Sequence, residues 1–253
     1  MKQRLDLALV ARGLAESRER ARRLIMAGEV RVNGQRQDKA SAGVGEQDEV
    51  TVDQPERYVS RAGHKLEGAL RLFGLDVTGR RAIDIGSSTG GFTDCLLQHG
   101  AAHVTAVDVG TNQLVYKLRS DPRVAVFEGL NARHLKAESL QDPDGAALAP
   151  FDLLVTDVSF ISLRLILPPG LALLRPGGLA VALIKPQFEA GRDQVGKGGI
   201  VRDEAVRERV VADLRAWLAE RALEAGLIDG GVAPSPLAGR DGNREFLWLI
   251  RKS

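Results

Sequence analysis

Short apolar runs alternate with amphipathic stretches through most of this 253-residue chain, and this alternation restricts the fold more than any other feature. Parallel strands need crossover connections of a dozen or more residues, and a helix is the usual crossover. The alternation therefore predicts a parallel α/β sheet with helices on both faces. The predicted strands are Arg81–Ile85, His103–Val107, Val124–Phe127, Asp152–Thr156 and Leu179–Ile184.

Two further apolar runs lie near the C-terminus, Leu227–Ala233 and Phe246–Ile250, and a turn-rich segment over residues 234–243 separates them. Runs that are joined by turn residues rather than by a helix are typical of an antiparallel pair. We therefore expect a seven-stranded, mostly parallel, Rossmann-like sheet that this pair closes.

The first fifty residues follow a different pattern, in which two short helices precede a hairpin. Ser17 is a credible N-cap, and Gly13 and Gly28 are placed to end the helices. This pattern predicts a small α+β module. Its predicted elements are helices over 5–10 and 18–27, strands at Val30–Val32 and Val50–Val52, and a tight turn at Asn33-Gly34.

A domain boundary follows the small module. Gln54-Pro55-Glu56-Arg57 has no periodicity, and its proline blocks regular strand pairing. We expect a first domain over residues 1–56, a linker over 57–61 and a second domain over 62–253.

Composition indicates an ordinary globular protein, with 44% hydrophobic and 27% charged residues and a formal net charge of +2. The basic residues are concentrated at one end, because the first forty residues contain ten basic and five acidic side chains. The single cysteine, Cys95, fits a reducing compartment. The apolar stretch over 171–184 contains Arg-Pro-Gly-Gly, which excludes a membrane span there. We expect a soluble, cytoplasmic protein without membrane contact.

The N-terminal module resembles the S4 RNA-binding domain. The resemblance rests on Leu5-Asp6-Leu7, Arg12-Gly13, Ser17-Arg18, Gly28 and Val32-Asn33-Gly34. It implies that the second helix and the turn after it contact RNA phosphates, independently of base sequence. A solvated helix face is the alternative interpretation of these arginines. The candidate RNA-binding residues are Arg4, Arg18, Arg20, Arg22, Arg23, Arg31 and Arg36.

A glycine-rich loop lies where the first predicted strand of the large domain turns into a helix. Glycines let the backbone pass close to a ligand, and the helix N-terminus presents free N–H groups. A tight strand-to-helix connection without a ligand is the alternative. The candidate cofactor-binding residues of this loop are Asp84, Gly86, Ser87, Ser88, Thr89, Gly90, Gly91 and Phe92.

An acidic residue, Asp108, ends the second predicted strand and is followed by Val109. A carboxylate at this position accepts hydrogen bonds from the two ribose hydroxyls of NAD or of S-adenosylmethionine. The loop lacks G-x-G-x-x-G spacing from Gly86, and no second dinucleotide-binding half is recognisable, so S-adenosylmethionine is the better ligand. Asn131 is a candidate for the adenine edge, with a turn-forming role as the alternative.

Charged residues follow the later strands in a pattern that indicates the methyl acceptor. Enzymes that methylate amino groups usually carry Asn or Asp followed by Pro-Pro-Tyr after the fourth strand, whereas this chain has Thr156-Asp157-Val158-Ser159-Phe160, which favours a different acceptor. With Lys65, Lys185 and Glu245, Asp157 would place four charged groups near one cleft.

These motifs resemble the FtsJ-like RNA ribose 2′-O-methyltransferases, and the whole chain is similar to the TlyA family. The resemblance implies a class I methyltransferase fold, S-adenosylmethionine as cofactor and a cytidine ribose of ribosomal RNA as acceptor. It also implies the catalytic tetrad Lys65, Asp157, Lys185 and Glu245, with Asp157 contacting the cofactor as well. The segments on which the resemblance rests are Tyr58–Arg61, Asp84–Thr93, Asp157–Leu163, Lys185–Glu189 and Gly242–Leu247.

A ribose 2′-hydroxyl must lose its proton before it attacks a methyl carbon, so the chemistry needs a base and exact positioning. We assign Lys185 as the base, because a nearby ammonium such as that of Lys65, or desolvation, favours a neutral lysine. Lys65 would also steady the developing alkoxide, Asp157 would orient Lys185, and Glu245 would orient the lysines or the ribose.

Two other functions remain open at this stage. One is an RNA-binding ribosome assembly factor with little turnover, and the other is a membrane-lytic protein, which the haemolysin label of family members suggests. The family includes members that act on the large subunit only and members that act on both subunits. The first predicted helix begins only a few residues from Met1, which favours the large subunit. The oligomeric state is open, and a monomer is assumed.

A basic segment over residues 191–202 completes the candidates. It contains Lys197 and Arg202 and is predicted to be a flexible loop that holds RNA near the acceptor site. An ordinary solvated loop is the alternative. The four histidines lack metal-ligand spacing, so no metal site is predicted.

Overall fold

The computed structural model describes residues 2–53, 56–239 and 241–253. The chain divides into two compact units, the first ending at Arg57 and the second beginning at Tyr58. Gln54 and Pro55 of the expected linker region, and Arg240 of the turn-rich segment, lie outside the described residues.

The linker expected over 57–61 differs in the structure. Tyr58 is 1% exposed in the core of the second unit, and the Val59 N–H donates to the carboxylate of Asp94 at 2.9 Å. Residues 58–61 are therefore the first segment of the second unit. A hydrogen bond between Val59 and Asp94, 35 positions apart, leaves no local sequence signal.

The described residues of the first unit form two helices and five short strands. The Ser17 hydroxyl accepts a hydrogen bond from the Arg20 N–H at 3.2 Å, as its predicted N-cap role requires. Asn33 and Gly34 both have positive φ, which is the geometry of a two-residue hairpin turn. The elements are β1 (Gln3–Arg4), α1 (Leu5–Ala11), α2 (Arg18–Met26), β2 (Val30–Val32), β3 (Gln35–Arg36), β4 (Gly43–Val44) and β5 (Val50–Val52).

The second unit is built on a seven-stranded sheet of order β11-β12-β10-β9-β6-β7-β8. The pairs among β10, β9, β6, β7 and β8 are parallel, and β12 is antiparallel to both β10 and β11. The strands are β6 (Arg81–Ile85), β7 (His103–Val107), β8 (Val124–Phe127), β9 (Phe151–Thr156), β10 (Leu174–Ile184), β11 (Leu227–Pro234) and β12 (Phe246–Lys252). The predicted seven-stranded, mostly parallel sheet is confirmed.

Helices cover both faces of the sheet, so its central strands are buried on both sides. Ala82 packs in a core cluster with α3 and α4, whereas its neighbour Ile83 packs in a cluster with α6 and α8. Trp248 and Leu249 divide between the same two clusters. The helices are α3 (Ala62–Leu72), α4 (Gly91–Gln98), α5 (Tyr116–Arg119), α6 (Leu163–Ala172), α7 (Pro186–Glu189) and α8 (Glu204–Ala225).

This topology brings the carboxyl ends of β6, β7, β9 and β10 to one edge of the sheet. The loops after these strands carry the residues that the sequence selects as functional. No helix among the described residues has both the length and the apolar character that crossing a bilayer requires.

Candidate active site

Two adjoining cavities open at the carboxyl edge of the sheet, with volumes of about 590 and 570 Å³. They share a wall formed by Gly86, Ser88, Asp157, Ser159 and Phe160. The first, which we call the tetrad cavity, also contains Lys65, Lys185 and Glu245. The second, which we call the Asp108 cavity, also contains Asp108, Val109 and Asn131.

Asp108 is held in the Asp108 cavity by two backbone N–H groups. Its Oδ2 accepts from Ser88 at 2.8 Å, and its Oδ1 accepts from Gly110 at 2.7 Å. A carboxylate oxygen has more than one acceptor direction, so both oxygens retain capacity for ligand hydroxyls. Asp108 is thus positioned at the end of β7 as the sequence predicts.

Asn131 lines the same cavity and also makes a turn contact. Its Oδ1 accepts from the Arg133 N–H at 3.1 Å, which caps a short 3₁₀ turn after β8. The turn-forming role is therefore observed, and the contact with an adenine edge stays a prediction, for which the side-chain NH₂ group is separate from the oxygen used in the cap.

Glycines in the glycine-rich loop leave room for close packing against neighbouring segments as well as for a ligand. A Cβ on Gly86, which has φ +84°, would lie 2.9 Å from a methyl carbon of Val158. A Cβ on Gly91 would lie 2.2 Å from the Ser60 Oγ and 3.0 Å from the Gly63 nitrogen. Gly91 therefore lets α4 approach the segment that leads into α3, the helix that carries Lys65.

The other loop residues divide between the cavities and the core. Ser87, Thr89 and Phe92 line the tetrad cavity, whereas Gly90, with φ +100°, packs against Leu114 and Leu118. Gly90 is therefore placed for loop conformation rather than for contact with a ligand.

Asp84 lies beneath the loop and lines neither cavity. It is 0% exposed, and its Oδ2 accepts a hydrogen bond from the Thr93 hydroxyl at 2.7 Å. Burial, against the lowering effect of the Thr93 bond and with a smaller contribution from the charge of Asp157, raises the pKa of the Asp84 carboxyl to about 7. The structure therefore places Asp84 behind the loop that would contact a cofactor.

We expect this buried carboxyl to make stability depend on pH. Between its ordinary pKa of 3.8 and about 7, the folded protein keeps a proton that the unfolded chain releases. The free energy of unfolding should then fall by about 1 kcal/mol per pH unit as pH rises through this window, and level off above it. Below about pH 4 the contribution is fully present.

The measurement is urea unfolding of the wild type and of Asp84→Asn at steps from about pH 4 to 8. The variant cannot titrate, so its difference from the wild type should change across the window. A constant difference would show that Asp84 is ionised throughout.

The four predicted catalytic residues form two lysine–carboxylate pairs. Lys65 Nζ on α3 lies 2.6 Å from Glu245 Oε2, just before β12, and both side chains are buried. Lys185 Nζ, after β10, lies 2.6 Å from Asp157 Oδ1, after β9. Lys185 also donates to the Ser159 hydroxyl at 2.8 Å.

The two pairs influence each other electrostatically. Burial raises the pKa of Glu245, Lys65 and then Lys185 lower it, and Asp157 raises it. Elements that are up to 180 positions apart in the chain thus supply one charged cluster.

This pairing changes one part of the sequence argument. The sequence suggested that Lys65 and Lys185 act on each other as like charges, whereas in the structure each ammonium has its own carboxylate. The cluster therefore orients both ammonium groups and holds a proton that arrives on either.

An aromatic pair that sequence reasoning did not select lies at the mouth of the tetrad cavity. Phe160 is 89% exposed, has a φ of +63°, and its ring centroid lies 4.9 Å from that of Phe188. A non-glycine residue in this backbone region costs free energy, and such strain concentrates at functional sites. The exposed aromatic in Asp157-Val158-Ser159-Phe160 was available as a signal, since strand ends carry ligand-contacting residues.

Glu189 connects the two loops of the Lys185–Asp157 pair. Its Oε2 accepts from the Ser162 hydroxyl and its Oε1 from the Leu163 N–H, both at 2.7 Å. Burial raises the pKa of Glu189. This carboxyl therefore ties the segment after β10 to the N-terminus of α6, next to the loop that carries Asp157.

The predicted RNA-binding arginines of the first unit fall into three groups. Arg4, Arg18 and Arg22 surround Asp6. Two others have their own partners: Arg31 pairs with Asp53, and Arg36 donates to the Ala27 carbonyl at 3.0 Å. Arg20 and Arg23 lie on α2, half-buried and exposed respectively.

In the second unit, Lys197 and Arg202 are exposed on the segment over 191–202. The sequence predicts a flexible loop there, but the segment is tied at its base. Asn243, which is 2% exposed, accepts from the Val201 N–H at 3.0 Å and donates to the Gly199 carbonyl at 2.9 Å. The loop is thus anchored two residues from Glu245.

Known proteins share both the domains and the full length of this chain. The FtsJ-like methyltransferase family matches residues 58–252, and the S4 domain matches residues 3–50. The 16S/23S rRNA (cytidine-2′-O)-methyltransferase TlyA of Mycobacterium tuberculosis is 48% identical over 249 residues, covering 97% of this chain and 89% of that protein. The 23S rRNA (cytidine-2′-O)-methyltransferase TlyA of Campylobacter jejuni is 33% identical over 201 residues, covering 78% and 72%.

A solved structure described as a hemolysin from Streptococcus thermophilus has a TM-score of 0.71 and 45% identity, covering 100% of this chain and 89% of that one. The agreement therefore includes motifs, domain order and three-dimensional architecture. The chain belongs to the FtsJ-like methyltransferase family, and within it to the TlyA proteins, with an S4 domain ahead of the methyltransferase domain.

Proposed function

We propose that this protein transfers a methyl group from S-adenosylmethionine to the 2′-hydroxyl of a cytidine ribose in ribosomal RNA. The observation that carries the proposal is the lysine–carboxylate cluster in a cavity whose wall is shared with the Asp108 cavity. Because the proposed substrate is ribosomal RNA, we expect the protein in the cytoplasm.

The Asp108 cavity has the features that an adenosine moiety needs. Asp108 is available to the ribose hydroxyls, while Val109, Leu130 and Ile161 supply apolar wall for a purine. The narrow approach at Gly86, where a Cβ would meet Val158, suits a ligand that passes close to the backbone. When bound, S-adenosylmethionine supplies an electrophilic methyl group.

The residues of the tetrad cavity then act on the acceptor. Lys185 Nζ, as the neutral amine, takes the proton of the 2′-hydroxyl as that oxygen attacks, and Asp157 holds the ammonium that forms. Lys65 places a positive charge near the oxygen, and Glu245 fixes the direction of Lys65 through its 2.6 Å contact. The proton leaves the hydroxyl and ends on Lys185, so charge is conserved at the site.

The large-subunit RNA is the substrate we favour. The two relatives are named for 16S/23S and for 23S activity, and the 23S RNA is common to both names. The S4 unit docks on this RNA through its basic face, which the sequence-independent character of phosphate contacts allows.

Phe160 provides a further test of the substrate. Its exposed ring beside Phe188 offers a stacking surface for a base that has left its helix, and such stacking contributes about 1–3 kcal/mol. We expect Phe160→Ala to lower methyl transfer to RNA by about tenfold to a hundredfold. Phe160→Trp should retain most activity.

The measurement for Phe160 is single-turnover methyl transfer at saturating cofactor. Ile228→Ala, which truncates an exposed apolar side chain on β11, is the matched control. Equal losses in Phe160→Ala and Phe160→Trp would rule out stacking as the reason.

The proposed function is tested by transfer of labelled methyl groups to isolated small subunits, large subunits and intact ribosomes, followed by mapping of the modified ribose. We expect label at a cytidine 2′-oxygen of the large subunit. Cofactor binding without transfer to any particle would instead support an RNA-binding assembly factor.

A further inference from the structure

One buried carboxylate in the first unit holds three arginines. Asp6, in the first turn of α1, has a side chain that is 0% exposed. Arg4 donates to it through two nitrogens at 3.0 and 3.1 Å, and Arg18 and Arg22 of α2 donate through Nε at 2.9 and 3.3 Å. We call these four residues the Asp6 cluster.

The cluster has more positive charge than its carboxylate can balance. Three guanidinium groups around one carboxylate leave a local charge of +2, and each arginine side chain stays between 44% and 51% exposed. The hydrogen bond from Arg4, with those of Arg18 and Arg22, holds the pKa of Asp6 far below its usual range. The carboxylate is therefore ionised whenever RNA is bound near neutral pH.

Arg18 and Arg22 contact Asp6 through the same atom, the side-chain Nε. Each uses Nε for Asp6, and within residues 2–53 and the other described segments no hydrogen bond uses their terminal nitrogens. A guanidinium held by Nε presents its two terminal NH₂ groups together, and this fork matches the oxygens of a phosphate. The two residues lie one helical turn apart on α2.

The other arginines of the unit lack this arrangement. Arg31 is paired with Asp53, a carboxylate that is itself 41% exposed, and Arg36 is bound to a backbone carbonyl at the end of α2. From the sequence, these arginines are RNA-binding candidates of the same kind as Arg18 and Arg22, whereas in the structure their hydrogen-bond partners differ.

We propose that Asp6 is a positioning residue that assembles Arg4, Arg18 and Arg22 into a clamp for backbone phosphates of RNA. The inference rests on the proposed function, because it assumes that the S4 unit docks on ribosomal RNA. Fixing long side chains before binding removes an entropy cost that free arginines would meet on contact. Asp6 acts through the arginines and does not itself touch RNA.

Binding of the full-length protein to large ribosomal subunits tests this proposal, because a pure charge effect and a loss of positioning would change the affinity in opposite directions. Asp6→Asn makes the protein one unit more positive, so charge alone would tighten RNA binding. Loss of positioning should instead weaken binding by about tenfold and lower the slope of log affinity against log salt by about 1 to 2. Asp53→Asn is the matched control, and it should leave affinity unchanged or raised.

Circular dichroism and thermal melting would check that Asp6→Asn folds. A second pair of variants tests the proposal without relying on Asp6→Asn. Arg18→Ala/Arg22→Ala and Arg31→Ala/Arg36→Ala remove the same charge. We expect the first pair to weaken binding by about tenfold more than the second. Equal losses, or tighter binding by a folded Asp6→Asn variant, would overturn the proposal.

Failure of the clamp and failure of the proposed function give different results. If the wild type methylates the subunit and the variants bind it equally well, only the clamp is wrong. If the wild type neither binds nor methylates any ribosomal particle, both proposals are overturned.

Discussion

Lys185→Ala should abolish most methyl transfer while the protein still binds cofactor and RNA. Lys185 Nζ is held by Asp157 and Ser159 in the tetrad cavity, so its loss removes both the proposed base and the positive charge that forms on it when the proton arrives. General base catalysis contributes about 10²–10⁴-fold, and we expect kcat to fall by about 10³-fold or more. Single-turnover transfer to large subunits, with separate binding measurements, checks this.

Lys185→Arg separates the two parts of this role. Arginine keeps the positive charge but cannot give up its proton, so a base function predicts a loss close to that of alanine. Lys136→Ala, which truncates an exposed lysine on the same unit, should retain full activity. Substantial turnover by Lys185→Arg would assign the residue to charge stabilisation instead.

Asp108→Ala should weaken S-adenosylmethionine binding by about 10²–10³-fold. Hydrogen bonds to a charged group contribute about 1.5–3 kcal/mol each, and a ribose offers two hydroxyls to this carboxylate. The substitution also leaves the N–H groups of Ser88 and Gly110 without their acceptor, which loosens the wall of the cavity. Isothermal titration calorimetry measures the change.

Asp108→Asn is the informative intermediate, because an amide oxygen still accepts a hydrogen bond while the charge is lost. Its affinity should lie between those of the wild type and the alanine variant. Asp144→Ala, an exposed carboxylate in the same unit, should bind the cofactor normally. Unchanged affinity in a folded Asp108→Ala protein would exclude the Asp108 cavity as the adenosine site.

The elements of the fold were largely predictable. Arg81–Ile85, His103–Val107 and Val124–Phe127 are strands with the predicted bounds, because they are short, mostly apolar runs bordered by turn residues. β10 begins at Leu174, five residues earlier than predicted. The prediction started later because Arg175-Pro176-Gly177-Gly178 has the residue types of a turn. Pairing with β9 shifts register between Leu174 and Leu179 and absorbs that segment into the strand.

The candidate site was predictable in its members but not in its contacts. The sequence motifs indicate Lys65, Asp157, Lys185 and Glu245 as site residues. No local sequence signal indicates that Lys65 pairs with Glu245, which is 180 positions away. The position of Asp84 behind its loop also depends on packing, because alternation along β6 turns it towards Thr93 of α4.

The sequence alone determined the two modules, the order of strands and helices and the residues that we propose to carry the chemistry. Apolar periodicity, turn glycines and helix caps act over a few residues, so they can be recognised in a linear chain. Only the tertiary structure decided which charges meet: Lys185 with Asp157, and Arg18 and Arg22 with Asp6 rather than with solvent. Ion pairs depend on distances of a few ångströms between separate elements, and these distances exist only after the cores have packed.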